Sequence, residues 1–150
     1  MSNTVLLAYD PMGALLAEAV RETVEAAGRT VETAVGSGDR DYPGLAWQTA
    51  ERVADGGYHS AILICGTGLG MSITANKVRG VRAARCTDAF SVEKARRNSD
   101  ANVLALGAEV TAPAMARTLV ETWLHHSFDS ARSVPKLAEI ARLERAGAVA

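Results

Sequence analysis

At 150 residues, 48% hydrophobic and 22% charged, the chain has the make-up of one globular domain, 1–150, with room for a sizeable core. Its net charge of −1 gives no electrostatic handle for nucleic acid or an anionic membrane surface, and no apolar stretch reaches membrane-spanning length. The first residues lack the basic and apolar regions of a signal peptide, and Cys65 and Cys86 fit no metal-ligand spacing, so reduced thiols in a cytoplasmic protein are expected.

Thr4 to Tyr9 reads as a short strand that ends at Asp10-Pro11-Met12-Gly13. Asp10 is there either the cap of the helix that follows or a ligand contact. A helix over 14–27 stops at Gly28, and a strand over 30–34 leads into the polar loop 36–41. Asp41-Tyr42-Pro43 introduces a helix over 45–54, which Asp55-Gly56-Gly57 ends. Ala61 to Ile64 is an uninterrupted apolar run, the pattern of a strand covered on both faces. It runs into Cys65-Gly66-Thr67-Gly68-Leu69-Gly70-Met71-Ser72, with a helix starting at Ser72. Further strands are expected over 81–86 and 102–106. Asp88 caps a helix to about Asn98, and Thr111, with Pro113 in the first turn, caps a long helix to about His126. Residues 128–132 form a linker to a last helix over 134–146, with Gly147 as its stop; this helix is either an arm over a neighbouring subunit or a solvated surface helix. Strands alternating with helices imply right-handed βαβ units and a parallel sheet with helices on both faces.

The stretch around Cys65 carries the chemistry. A strand end, a glycine-rich turn and a helix start form an anion-binding arrangement of backbone N–H groups. Glycines at 66, 68 and 70 leave the backbone open to close approach. The spacing matches neither the dinucleotide fingerprint nor a phosphate-binding P-loop. A thiol at this position is either a small structural residue or a reactive group, serving as nucleophile or base. A Cys–His hydrolase is disfavoured because His59 lies at the amino end of the same strand, and His125 and His126 lie at the end of a long helix. A thiol that abstracts a carbon-bound proton beside donors for the resulting enediolate needs no histidine, and that chemistry is aldose–ketose isomerisation. Cys86 reads as a small core residue. Trp47 and Trp123 read as core or interface residues, and Arg96-Arg97 as a solvated helix face or a second anion contact.

The run from Cys65 to Ser72, with Ala75-Asn76-Lys77, Gly80-Val81-Arg82-Ala83-Ala84, Asp41-Tyr42-Pro43, the run Asp100 to Gly107 and Trp123-Leu124, resembles the ribose-5-phosphate isomerase B family, which includes the galactose-6-phosphate isomerase subunits. The resemblance covers about residues 4–140. It implies a Rossmann-like three-layer α/β/α sandwich with a five-stranded parallel sheet and a C-terminal helical arm. It also implies a homodimer or homotetramer with active sites at the subunit interface, a sugar phosphate as ligand, and no metal or organic cofactor. By the same resemblance, Cys65 is the base moving a proton between C1 and C2, and Thr67 assists transfer between the two oxygens. The amides from Gly66 to Gly70, with Ser72, hold the enediolate and substrate. Asp10 and Asn98 bind the sugar, Tyr42 lines the site, and Arg132 and Lys136, four apart and suited to one helical face, clamp the phosphate.

Departures from the family pattern bear on the substrate. Asp-His-Ala-Gly is replaced by Asp10-Pro11-Met12-Gly13, and the histidine that opens a furanose ring is missing before Asn98-Ser99-Asp100. Gly-Ala-Arg becomes Gly107-Ala108-Glu109, whose carboxylate would repel a phosphate on the same side. Arg132-Ser133 replaces an Arg-His pair, and Lys136 replaces a later arginine, keeping charge but losing the fork. Loss of the ring-opening group points to a substrate with no ring to open, such as a tetrose or tetrulose 4-phosphate, with ribose 5-phosphate as the competing candidate. The alternatives are the cysteine-bearing subunit of a hetero-oligomeric galactose-6-phosphate-type isomerase, or a non-catalytic phosphosugar-binding protein.

Overall fold

The computed structural model describes residues 2–38 and 41–147. Residues 39 and 40 of the expected polar loop lie outside the described residues. The elements alternate as expected: β1 (Thr4–Tyr9), α1 (Ala14–Ala26), β2 (Thr30–Val35), α2 (Tyr42–Ala54), β3 (Ser60–Cys65), α3 (Leu69–Ala75), β4 (Ala83–Arg85), α4 (Ala89–Arg97), β5 (Val103–Gly107), α5 (Pro113–His125) and α6 (Val134–Gly147), with a 3₁₀ turn, Ala131–Ser133, before α6. The five strands pair in parallel in the order β2-β1-β3-β5-β4.

Side chains alternate across the sheet and divide the core in two. Val5, Leu7, Ile62, Ile64, Leu104 and Leu106 pack under α1, α4 and α5. Leu6, Ala8, Ala61, Leu63, Cys65, Val103 and Ala105 pack under α2 and α3. The result is the expected three-layer sandwich. It also explains why the three central strands read as unbroken apolar runs rather than alternating ones. Because β1 lies between β2 and β3, the chain reverses its direction of travel across the sheet at β1/β3. The crevice outside the carboxyl ends of those two strands is where open α/β sheets bind ligands.

Several boundaries differ from the sequence reading. Helix α2 begins at Tyr42, because Pro43 in its first turn presets a helical φ. Helix α3 starts at Leu69, directly after Gly68, so Ser72 lies inside the helix. Strand β4 is only three residues long: Asn102 Oδ1 takes the Arg82 N–H at 2.8 Å, just before the strand begins, and Asn76 Oδ1 takes the Ala83 N–H at its first residue, also at 2.8 Å. Asp88 caps α4 as expected, accepting from Ser91 N at 2.7 Å. Thr111 does not cap α5: Ala112 is at the N-cap, and the buried Thr111 hydroxyl has no partner. Helix α6 runs through Gly147 rather than stopping before it, and none of its residues is buried. Its far end is held by Glu144, whose carboxylate accepts the Gly80 N–H at 3.1 and 3.2 Å.

Candidate active site

Cys65 is the last residue of β3, at the carboxyl edge of the sheet, and is 7% exposed. Its Sγ accepts the Gly68 N–H at 3.1 Å. That contact requires the chain to fold back within three residues, which it does with Gly68 at φ +77°, in the left-handed region. A Cβ on Gly68 would also stand 3.1 Å from the carbonyl oxygen of Leu106, in the middle layer. The other two glycines make room for side chains rather than for a turn. A Cβ on Gly66 would meet the Glu109 carboxylate at 2.9 Å, and one on Gly70 would overlap the Tyr42 ring at 2.4–2.6 Å. The glycines thus draw Glu109 and Tyr42 against the loop that bears Cys65 and Thr67.

The backbone locks this loop to its neighbours. Ala108 N donates to Cys65 O and Glu109 N to Gly66 O, both at 2.8 Å, so β5 carries the pairing past the end of β3. Asp10 N donates to Ile64 O at 3.3 Å, and Gly13 packs on that carbonyl so closely that no side chain fits there. Asp10 is 3% exposed and accepts the Gly13 N–H through Oδ1 at 2.9 Å, closing the β1–α1 turn. One edge thereby collects Asp10, Tyr42, Cys65, Thr67, Gly66, Gly68 and Gly70. Of the amides expected to face a ligand, Gly68 N–H is engaged by Cys65, and Leu69 N–H donates to Thr67 Oγ1 at 3.3 Å. The Ser72 N–H is bonded to Gly68 O at 3.1 Å within the helix. Among the described residues the Thr67 hydroxyl donates to no partner.

Three expected site residues are elsewhere in the chain. Asn98 closes α4, which runs from the carboxyl edge back to the amino edge, so the length of β5 separates it from Cys65. Asp129 N donates to Arg97 O at 3.2 Å, which ties the segment leading to Arg132 and Lys136 to that same far edge. Arg132 lies in the 3₁₀ turn and Lys136 in α6, so they straddle a junction instead of sharing one α-helical face. The histidines are remote as well. His59 precedes β3, and burial lowers its pKa to about 4; His125 and His126 end α5.

Arg96 is no free anion contact: it is buried over the Trp123 ring and donates to the carbonyls of Ala101 and His126. Arg97 is paired with Glu93 and Asp129. Cys86 is buried in the α1/α4/α5 layer, and burial pushes its thiol up to about 11. Trp123 is a core residue with its indole N–H on Ser60, whereas Trp47 is 41% exposed. Among the described residues no group of three or more His, Cys, Asp or Glu is placed to hold a metal ion, and no helix is long and apolar enough to cross a membrane. Arg85 had no motif signal in the sequence. Its Nε donates to Thr67 O at 2.9 Å, which brings a cation up to the Cys65 loop.

Known proteins are similar to this chain in sequence and in fold. The family profile described as Ribose/Galactose Isomerase matches residues 5–140. D-erythrulose-4-phosphate isomerase 2 of Mycolicibacterium smegmatis is 39% identical over 97% of this chain and 100% of its own length. D-erythrulose-4-phosphate isomerase of Pectobacterium atrosepticum is 44% identical over 69% of this chain and 68% of that one. Among solved structures, ribose-5-phosphate isomerase B of Clostridium thermocellum superposes with a TM-score of 0.89 at 35% identity, covering 95% of this chain and 97% of that one.

Proposed function

The chain belongs to the ribose/galactose isomerase family and is an aldose–ketose sugar-phosphate isomerase; from that premise we propose that Cys65 is its base and that a tetrose/tetrulose 4-phosphate is its preferred substrate. The observation that carries the proposal is the thiol held against the Gly68 N–H, one residue from the Thr67 hydroxyl, at an edge with no imidazole. In the direction from aldose to ketose, the Cys65 thiolate takes the proton from C2 and becomes a thiol. The electron pair left behind forms the C1–C2 double bond of an enediolate. Thr67 passes a proton from O2 to O1, and the thiol returns its proton to C1. The sugar gains and loses nothing overall. Backbone N–H groups left free in the loop stabilise the developing oxyanion, and Asp10 and Tyr42 orient the hydroxyls.

A tetrose 4-phosphate suits this edge because its esterified O4 cannot close a furanose, so no ring-opening acid is needed. Two relatives whose names specify erythrulose 4-phosphate support the same substrate class. Glu109 over Gly66 disfavours a dianion at that point of the loop, so the phosphate end is directed away from it. The cations for it, Arg132 and Lys136, together with Asn98, come from a second copy of the chain that presents its amino edge to this carboxyl edge. Exposed Leu69 and Ile73 on α3, and Val134, Ile140 and Leu143 on α6, supply apolar surface for that association. A cytoplasmic location fits this reading, since both thiols are free.

The deciding experiment is kcat/KM for erythrose 4-phosphate and ribose 5-phosphate, with Cys65→Ala as control. Preference for the tetrose, abolished in the variant, supports the proposal. Preference for the pentose would refute the acyclic substrate, and an active Cys65→Ala would refute the base.

A further inference from the structure

Arg85 and Cys65 are joined through a single peptide group. The Arg85 Nε–H donates to the Thr67 carbonyl at 2.9 Å, and the N–H of that same peptide, on Gly68, donates to Cys65 Sγ at 3.1 Å. The placement follows from the fold. Ala83 packs under α2 and α3, and Arg85, two residues on, shares its face of β4 and reaches over the sheet edge to the loop. Its Cγ lies 3.3 Å from where a Gly68 side chain would begin, so the glycine that allows the left-handed turn also admits the arginine stem. Among the described residues no carboxylate lies within ion-pair distance of Arg85.

We propose that Arg85 is a positioning residue that activates Cys65, holding the Thr67–Gly68 peptide in place and polarising it so that its N–H favours the thiolate. The physical basis is that a charge-assisted bond to a carbonyl strengthens the N–H of the same peptide as a donor, and hydrogen bonds in series reinforce one another. The groups drawn up to the Cys65 loop from the surrounding elements are Asp10 at the end of β1, Tyr42 at the start of α2, Glu109 after β5, and Arg85. The two carboxylates oppose a negative sulfur, and Arg85 is the cation that offsets them. The same bond fixes the backbone of Thr67, so one side chain aligns both groups that exchange protons with the sugar. This inference rests on the assignment of Cys65 as base.

The test is the thiolate ultraviolet absorbance of the free enzyme against pH, with Cys65→Ser subtracted, in wild type, Arg85→Lys, Arg85→Gln and Arg85→Met. Burial pushes the Cys86 thiol up to about 11, which keeps it clear of the titration. The expected result is a midpoint about one pH unit higher in Arg85→Met, which is about tenfold less thiolate near neutrality. The acid limb of kcat/KM should move with it while KM changes little. Arg85→Gln, which can keep an N–H on the carbonyl without the charge, should shift upward too, and Arg85→Lys should recover part of the difference. An unchanged midpoint in Arg85→Gln, with wild-type circular dichroism and melting, overturns the proposal. Because the titration is read without substrate, it stands apart from the assay of Cys65→Ala, whose retained activity would instead remove the base assignment.

Discussion

Replacing Gly68 with alanine tests whether the loop geometry, and not glycine content, makes the site. At φ +77° an alanine pays the left-handed penalty of about 1–2 kcal/mol. Its methyl group would also lie 3.0 Å from the carbonyl carbon and 3.1 Å from the oxygen of Leu106, which belongs to a fully buried strand and has no room to retreat. Together these effects cost about 2–3 kcal/mol. At about 2–4 °C per kcal/mol for a chain of this size, the melting temperature falls by about 4–12 °C. The turn relaxes by moving the Gly68 amide off Cys65 Sγ, so kcat falls about tenfold or more in protein that is still folded. Gly66→Ala is the matched control. Its methyl meets only the end of the exposed Glu109 side chain, which can swing aside, and melting should move by no more than about 2 °C. Calorimetry and steady-state assays on both proteins decide the matter. If Gly68→Ala melts and turns over like Gly66→Ala, the left-handed turn is not what holds the thiol.

Asp10→Ala leaves the Gly13 N–H without its acceptor and should cost about 1–2 kcal/mol in urea unfolding, whereas Asp10→Asn keeps an acceptor and most of that stability; if both variants lose kcat/KM alike, Asp10 contacts sugar as well as closing the turn. His59 has a folded pKa near 4 against an ordinary 6.5. The unfolded chain therefore binds more protons between those values, and stability is full above about pH 6.5 and falls as pH drops towards 4. His59→Gln should flatten that acid-side slope in denaturant titrations, and an unchanged slope would place the acid sensitivity elsewhere. Arg96→Leu strands the carbonyls of Ala101 and His126 and removes a cation from the Trp123 ring, at about 2–4 kcal/mol by thermal melting, without altering the preference between substrates. Mixing Cys65→Ala, which lacks the proposed base, with Arg132→Ala, impaired through KM, should restore about a quarter of wild-type activity at substrate concentrations well below the variant's KM if sites are shared between two copies, since half of randomly formed dimers hold one intact site of two; no recovery after subunit exchange would refute shared sites.

What was legible in the sequence followed from burial on both faces of the sheet. Strands β1, β3 and β5 are covered above and below, so Val5 to Ala8, Ala61 to Ile64 and Val103 to Leu106 are unbroken apolar runs. Once β3 was placed, Cys65 had to stand at its carboxyl end. The start of α3 was missed because a single left-handed glycine replaces a conventional cap, and a reading that waits for a capping side chain settles on Ser72. The expected cap at Thr111 failed for the converse reason: the residue type is right, but its hydroxyl is buried away from the helix amides. Asn98, Arg132 and Lys136 show a different limit. A helix following a parallel strand returns the chain to the opposite edge, so residues expected to share one site stand a strand length apart within the chain.

That separation bears on how the site's charge is arranged. The edge holding Cys65 carries Asp10 and Glu109, two carboxylates that oppose both a thiolate and a phosphate, and the cation bonded to its loop is Arg85. One arginine attached to the back of the loop, through Thr67 O, is placed to balance the thiolate rather than to meet a dianionic substrate. The phosphate then needs cations from outside this edge, and in the proposed association exposed Arg132 and Lys136 of a second copy would meet that need. Under this arrangement the two charge requirements are met separately. Loss of Arg85 should act on the thiol's titration and on kcat, and loss of Arg132 or Lys136 on KM and its salt dependence.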